Sequence, residues 1–380
     1  MMAPSALPPQ EHVTFHAGKG KQTRPVLTGS SMKPTFDAIP VVDLSKARSC
    51  DLADRQSVAR EIGRAFTEVG FMYAVNHGIG EDVQTRVRDV VEAFFALDPA
   101  EKMKVHINRS ATIRGYEALL ETRLDDRTRG DMKEAFNMAD DPYEAEQRAP
   151  ADLDMSAYPA ADRGPTGSLN QWPDLPPSFR RSMYEYRAAA QGVASTLLRL
   201  TALALDLPEA YFDGMARFPM AGLRALHYPP QGRDRDGDGG AVGIGAHADY
   251  SWFTLVNQLT PDAAGLEVLD ANGHWVSVPP LEGSLVVNVG DFLERATNDR
   301  FVSTVHRVRN NDGRGVHRYS LAYFFSPTHD VLIRTLPTCL GEGGDRKYDD
   351  IRAREWQQQR LLRARTKHPA SILAKERGEI

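Results

Sequence analysis

Cysteine is scarce in this sequence: Cys50 and Cys339 are the only two in a chain of 380 residues, and they lie far apart. A disulfide framework is therefore not expected. No apolar run approaches the roughly 20 residues that a membrane-crossing helix requires, so no membrane partner is expected. A basic surplus is missing too. Lys and Arg number 46 against 51 Asp and Glu, and the net charge of -5 offers no footprint for nucleic acid. The first residues lack the basic start and apolar core of a secretory signal, which makes a cytoplasmic protein the expectation. On that reading the sequon Asn108-Arg-Ser110 is accidental. Hydrophobic residues supply a modest 41%, yet a chain this long still buries a sizeable core. There is no internal repeat and no clean linker, so one compact unit is expected.

What is present falls into successive zones. Residues 1–37 carry Pro4, Pro8, Pro9, Pro25 and Pro34 among polar and basic residues, and are expected to form a flexible tail. An N-terminal α/β region is expected over 38–150. It contains a short strand at 39–44, helical spacing of Val58, Ile62, Ala65, Phe66 and Val69, a buried strand at 71–75 and a second helix over 82–97. A connector over 151–215 includes Trp172-Pro173 and a long helix over 178–205, ended by Pro208. Short strands separated by turn signals then fill 216–335, the pattern of a jelly-roll-like barrel. A charged helical tail over 336–380 follows, most of its charge read as a solvated face. Asp234-Arg-Asp236-Gly-Asp238-Gly239 imitates the opening of a calcium-binding loop. Its twelfth position is Gly245 rather than Glu, so it reads as an acidic hairpin turn.

Within the β half, His247 and Asp249 are two residues apart, a spacing that puts both side chains on one face of a strand. His306 lies far enough along to return on another strand of the same sheet. Two imidazoles and a carboxylate can grip one face of a metal and leave the opposite positions open. Further on, Arg318 and Ser320 share a strand face, and a guanidinium beside a hydroxyl suits a carboxylate.

This order, H-x-D, a distal His and then R-x-S, resembles the iron(II)/2-oxoglutarate-dependent dioxygenases of the isopenicillin N synthase-like group. The resemblance extends over residues 38–335, and Gly70-Phe-Met-Tyr-Ala-Val-Asn-His-Gly78 is similar to the group's N-terminal domain. It implies an α+β fold: a double-stranded β-helix (jelly-roll) core, an N-terminal α/β region and a long supporting helix. It implies Fe(II) on His247, Asp249 and His306. It also implies 2-oxoglutarate anchored by Arg318, Ser320 and Tyr228, O2 as cosubstrate, ascorbate as reductant, and a small-molecule substrate. Hydroxylation is the default outcome, with desaturation or ring formation as variants. The residues leave open an oxidase that uses no 2-oxoglutarate, an ethylene-forming activity, and a barrel that binds a metal or ligand without turnover. Tyr116, Phe136, Trp252, Phe253 and Phe324 are candidates to line the pocket, Phe324 first because it shares parity with Arg318 and Ser320; Arg224 is a further candidate. His77, His227, His274 and His317 are expected to stay off the metal. The segment from His306 to Arg318 is longer than in many relatives, and a one-residue slip there would turn Arg318 and Ser320 outward.

Overall fold

The computed structural model describes residues 11–18, 20–110, 112–122, 130–153, 155, 168–230, 242–309, 315–365 and 368–378. The acidic 234–239 turn and the turn around 310–314 lie outside the described residues.

The chain opens on an antiparallel hairpin, β1 (His12–Ala17) with β2 (Gly20–Pro25). Next come β3 (Val41–Asp43), α1 (Leu52–Glu68), β4 (Phe71–Val75), α2 (Glu81–Phe95) and α3 (Pro99–Met103). Helix α1 starts where the Asp51 carboxylate accepts the Ala53 N–H, one of the donors a helix start leaves open. It buries Val58, Ile62, Ala65 and Phe66, a stripe at helical spacing. Gly70 then reverses the chain at φ 74°, where a Cβ would stand 2.2 Å from the Val302 carbonyl oxygen. β5 (Gly115–Glu117) and β6 (Glu134–Ala139) precede the long helix α4 (Phe179–Ala204).

The β half contains β7 (Ala221–Tyr228), β8 (Val242–His247), β9 (Phe253–Gln258), β10 (Leu266–Leu269), β11 (Trp275–Ser277) and β12 (Ser284–Val289). After α5 (Asp291–Ala296) follow β13 (His306–Arg309) and β14 (Arg318–Phe325). The chain continues through β15 (Leu332–Ile333), β16 (Ile351–Arg352), α6 (Ala353–Ala364) and α7 (Pro369–Glu376).

Two sheets face each other. One runs β11-β10-β13-β8-β1-β2; the other runs β3-β4-β12-β9-β14-β7-β6-β5. Between them Ile244, Leu266, Val268 and Val308 of the first meet Leu226, Tyr228, Val286 and Ala322 of the second. Side chains one residue out of phase, such as Leu223, Ala225, Leu321 and Tyr323, join a separate core with α1, α2 and α4. The result is the expected α+β arrangement: a double-stranded β-helix, an N-terminal α/β region and a long helix laid against it.

Two expectations are corrected. Within the segment expected to be flexible, His12–Ala17 and Gly20–Pro25 pair as a hairpin, and β1 pairs with β8 in parallel at His16 and His247. Phe15 is buried with Ala246, Leu269 and Val305, and this contact holds the hairpin over what would otherwise be an open edge of β8. The charged tail is not simply solvated either: Ala353, Trp356, Leu362 and Arg365 are buried.

Phe94 sits fully buried amid Phe95, Tyr116, Phe136 and Phe179, where α2, α4 and the outer sheet face converge. Phe94→Ala is expected to cost about 3–5 kcal/mol, from lost burial plus the cavity left behind. Urea unfolding measures it, and a loss below about 1 kcal/mol would contradict this packing.

Candidate active site

The site is set by one cross-strand pair. His247 ends β8 and His306 begins β13, and the two are direct partners in the ladder, with ring centroids 4.3 Å apart. Just beyond them the register shifts, so that Val308 pairs with Ile244 and β8 carries one extra residue. Such a bulge re-aims side chains at a sheet edge. The Gly245 N–H, inside this irregular stretch, goes to Asp131 Oδ1 at 3.2 Å.

Asp249 lies past the end of β8 rather than on it, so its orientation comes from hydrogen bonds and not from strand parity. Its Oδ2 accepts from Thr254 Oγ1 at 2.7 Å and from Asn288 Nδ2 at 2.9 Å. Oδ1 is left facing His247 Nε2 at 3.6 Å and His306 Nε2 at 3.8 Å. Each imidazole turns its other nitrogen to a carbonyl: His247 Nδ1 lies 2.8 Å from Gly245 O, and His306 Nδ1 lies 3.3 Å from Thr304 O. Donation to those carbonyls leaves both Nε2 lone pairs pointing inward, the outer-shell arrangement that fixes metal-binding histidines.

Charge follows the same logic. Burial works to raise the Asp249 carboxyl, but His306, His247 and Asn288 outweigh it and hold the group well below the usual carboxylate range. Burial, with His247 beside it, pulls His306 down to about 4, so its imidazole is neutral near pH 7. An ionised carboxylate and a neutral imidazole are the forms a metal requires. Among the described residues, His247, Asp249 and His306 are the one group of ligand-type side chains whose atoms converge, all within 4.8 Å. This donor set of two nitrogens and one oxygen fits an open ferrous site.

Deeper in the barrel, Arg318 pairs with Tyr228 across β14 and β7, its guanidinium carbon 4.8 Å from the phenol ring centre. Arg318 and Tyr228 are each 1% exposed, and Ser320 is 2% exposed. Gly243 opposite has no side chain because a Cβ there would stand 2.9 Å from Tyr228 Cδ1. Arg318 Nη2 donates to Gln258 Oε1 at 3.2 Å, while Nε and Nη1 are buried without a hydrogen-bond partner among the described residues. Burial lowers the Arg318 pKa and nothing but Tyr228 opposes it. A buried guanidinium with free donors fits an incoming carboxylate.

The remaining candidates divide by strand parity. Phe324 packs with Val256, Leu226 and Ala322 on the inner face, as expected. Tyr116 and Phe136 do not line the pocket: they are paired on the outer face of β5 and β6 and packed against α2 and α4. Trp252 and Phe253 also belong to the outer core, against Phe212 and Phe325. One position after Tyr116 and three before Phe136, and so of opposite parity, Glu117 and Lys133 carry polar groups of the inner face, together with Arg224. His77 accepts the Ile79 N–H with Nδ1, and His227 bridges Glu134 and His317 on the outer face. His274 is 40% exposed beside Asp270. All four of these histidines stay off the triad. Thr254 and Asn288, which orient Asp249, carry a readable signal only in part. Asn288 is a lone amide in the apolar run Leu285-Val-Val-Asn-Val289.

Comparison with known proteins agrees with this geometry. Residues 39–174 match the family described as non-haem dioxygenase in morphine synthesis N-terminal. Residues 219–327 match the 2OG-Fe(II) oxygenase superfamily. The chain is 36% identical to the 2-oxoglutarate-Fe(II) type oxidoreductase hxnY of Emericella nidulans, over 84% of this chain and 88% of that one. It is 34% identical to a homoarginine-6-hydroxylase of Glycine max, over 81% of this chain and 91% of the relative. Among solved structures, a full-length Neurospora crassa protein in complex with alpha-KG superposes with a TM-score of 0.71 and 28% identity, covering 85% of this chain and 96% of that one. A 2OG-Fe(II) oxygenase family protein from Caulobacter crescentus gives a TM-score of 0.72 and 30% identity, covering 86% and 99%. Fold, donor set and kinship agree: the chain belongs to the non-haem Fe(II)/2-oxoglutarate oxygenase superfamily, and it is an oxidoreductase that uses Fe(II), 2-oxoglutarate and O2 to oxidise a small organic substrate.

Proposed function

We propose that His247, Asp249 and His306 hold the iron, that Arg318, Ser320 and Tyr228 hold the distal carboxylate of 2-oxoglutarate, and that the reaction is hydroxylation of a C–H bond. Convergence of the three ligand atoms within 4.8 Å is the observation that carries this reading. When bound, ferrous iron with 2-oxoglutarate and O2 supplies oxidative decarboxylation and the oxidation of a C–H bond placed beside it. The chain supplies position and dryness. Thr254 and Asn288 fix which carboxylate oxygen of Asp249 faces inward. Arg318 offers a fork and Ser320 a hydroxyl, both buried beside Tyr228 and Leu226, their partners across β14 and β7. Phe324 and Val256 add an apolar wall of the inner face, which favours a partly apolar substrate such as an amino-acid derivative or specialised metabolite. The relative described as a homoarginine hydroxylase supports hydroxylation over desaturation as the default. Ascorbate, on this reading, serves to keep the iron ferrous between turnovers.

Three outcomes test it. Asp249→Ala is expected to abolish stoichiometric Fe(II) binding by anaerobic titration; unchanged binding would remove the triad from its role. Asn288→Ala keeps all three ligands but frees the Asp249 carboxylate, and is expected to lower iron affinity or succinate formation by about 10–100-fold. Arg318→Leu is expected to raise the KM for 2-oxoglutarate by at least about thirtyfold with a smaller change in kcat, since a buried charge pair loses one partner. A fall confined to kcat would place Arg318 elsewhere in the mechanism.

A further inference from the structure

A second group of buried charges lies on the inner face of the barrel, and the iron and 2-oxoglutarate sites leave it unused. Its centre is Glu117, 1% exposed. Lys133 Nζ donates to Glu117 Oε1 at 2.7 Å, and Arg224 Nη2 donates to the same oxygen at 2.7 Å. Thr122 also donates its hydroxyl to Oε1. Arg365, just past the end of α6, brings its Nε to 3.4 Å from Glu117 Oε2. Asp131, the other carboxylate of the group, has one oxygen committed to the Gly245 N–H.

Among the described residues three cations thus face two carboxylates, and one of those carboxylates already accepts from two cations and a hydroxyl. A salt-bridge network serving only to tether the C-terminal tail would balance its charges, because uncompensated buried charge is costly. This one does not. The Nε of Arg224 is buried without a hydrogen-bond partner among the described residues. Burial, with Arg224 beside it, pulls Lys133 down to about 8 against the opposing pull of Glu117 and Asp131.

Position connects the cluster to the chemistry. Arg365 interacts with Tyr250, the neighbour of Asp249, and Asp131 holds the backbone two residues before His247. Arg224 lies on the same strand face as Tyr228 but four residues further from the Arg318 pairing, about 13 Å along β7. The two guanidinium sites are therefore separate along the strand.

We propose that Lys133, Arg224 and Arg365 form the subsite for a carboxylate of the substrate that is oxidised, which makes the substrate class a small organic acid. The inference rests on the iron and 2-oxoglutarate assignment above for what is done to that acid, but not for its binding. Glu117 serves as the internal counter-ion that holds the three cations in one place, and the C-terminal tail contributes a residue to substrate recognition rather than only covering the barrel.

Calorimetric titration of the full chain with phenylacetate, hexanoate and indole-3-acetate, each against its primary amide, tests this. Excess 2-oxoglutarate is kept present to occupy Arg318. At least one acid is expected to bind at millimolar concentration or below, with its amide weaker by about tenfold or more. Arg224→Met and Arg365→Met are each expected to weaken the acid by a similar factor and leave the titration with 2-oxoglutarate unchanged. Arg224→Lys retains the ion pair with Glu117 but not the fork, and an intermediate affinity is expected, which guards against a variant that merely misfolds. Equal affinity of acid and amide, no binding by any of the three acids, or unaltered affinity in the Met variants would overturn the proposal. No turnover is read, so a wild-type chain that bound acids but no iron would sink the earlier assignment and leave this subsite standing.

Discussion

The ladder pairing of His247 with His306 is the constraint on which the site depends. It brings two imidazoles from residues far apart in sequence to a ring separation of 4.3 Å without any local chain reversal. Everything around it serves to aim them. The bulge in β8 rotates the strand end, the Gly245 and Thr304 carbonyls select the ring nitrogen that faces inward, and the turn after β8 delivers Asp249 between them. Asp249 is then divided by function: one oxygen is committed to Thr254 and Asn288, the other is left for the metal side. A carboxylate free to rotate would offer either oxygen, and pre-organisation would be lost.

Charge inside the barrel is arranged in two separate groups. At one, Arg318 is buried with free donors and no opposing carboxylate among the described residues. At the other, Lys133, Arg224 and Arg365 surround Glu117. A buried cation attracts an anion more strongly than an exposed one, because attraction strengthens where water is excluded. On the proposed assignments, one group would receive the cosubstrate and the other an acid substrate.

Much of this was legible in the sequence where local rules hold. Helix stripes in α1 and α2, the buried strand after Gly70 and the parity of Arg318 with Ser320 and Phe324 all follow from periodicity, and the structure has them. Aromatic character misled where the barrel interior is charged. Around Lys133-Glu-Ala-Phe136 the aromatic ring is the natural candidate for the pocket, but the enclosed side here takes Lys133, while Phe136 is buried under α4 on the opposite face. The hairpin over residues 12–25 was invisible for another reason. Its polar residues have no local signature, and its stability comes from long-range pairing with β8 and the single buried Phe15. Arg365 was hidden because a charge in a charged helical tail gives no sign that it is turned inward.

The measurement that bears most directly on the account is anaerobic titration of the protein with Fe(II), with and without 2-oxoglutarate, followed by visible absorption. The account predicts a weak metal-to-ligand charge-transfer band that needs both components and disappears in His247→Ala. Iron binding with no such band would contradict the assignment of Arg318, Ser320 and Tyr228, and failure to bind iron at all would contradict the triad on which the whole account rests.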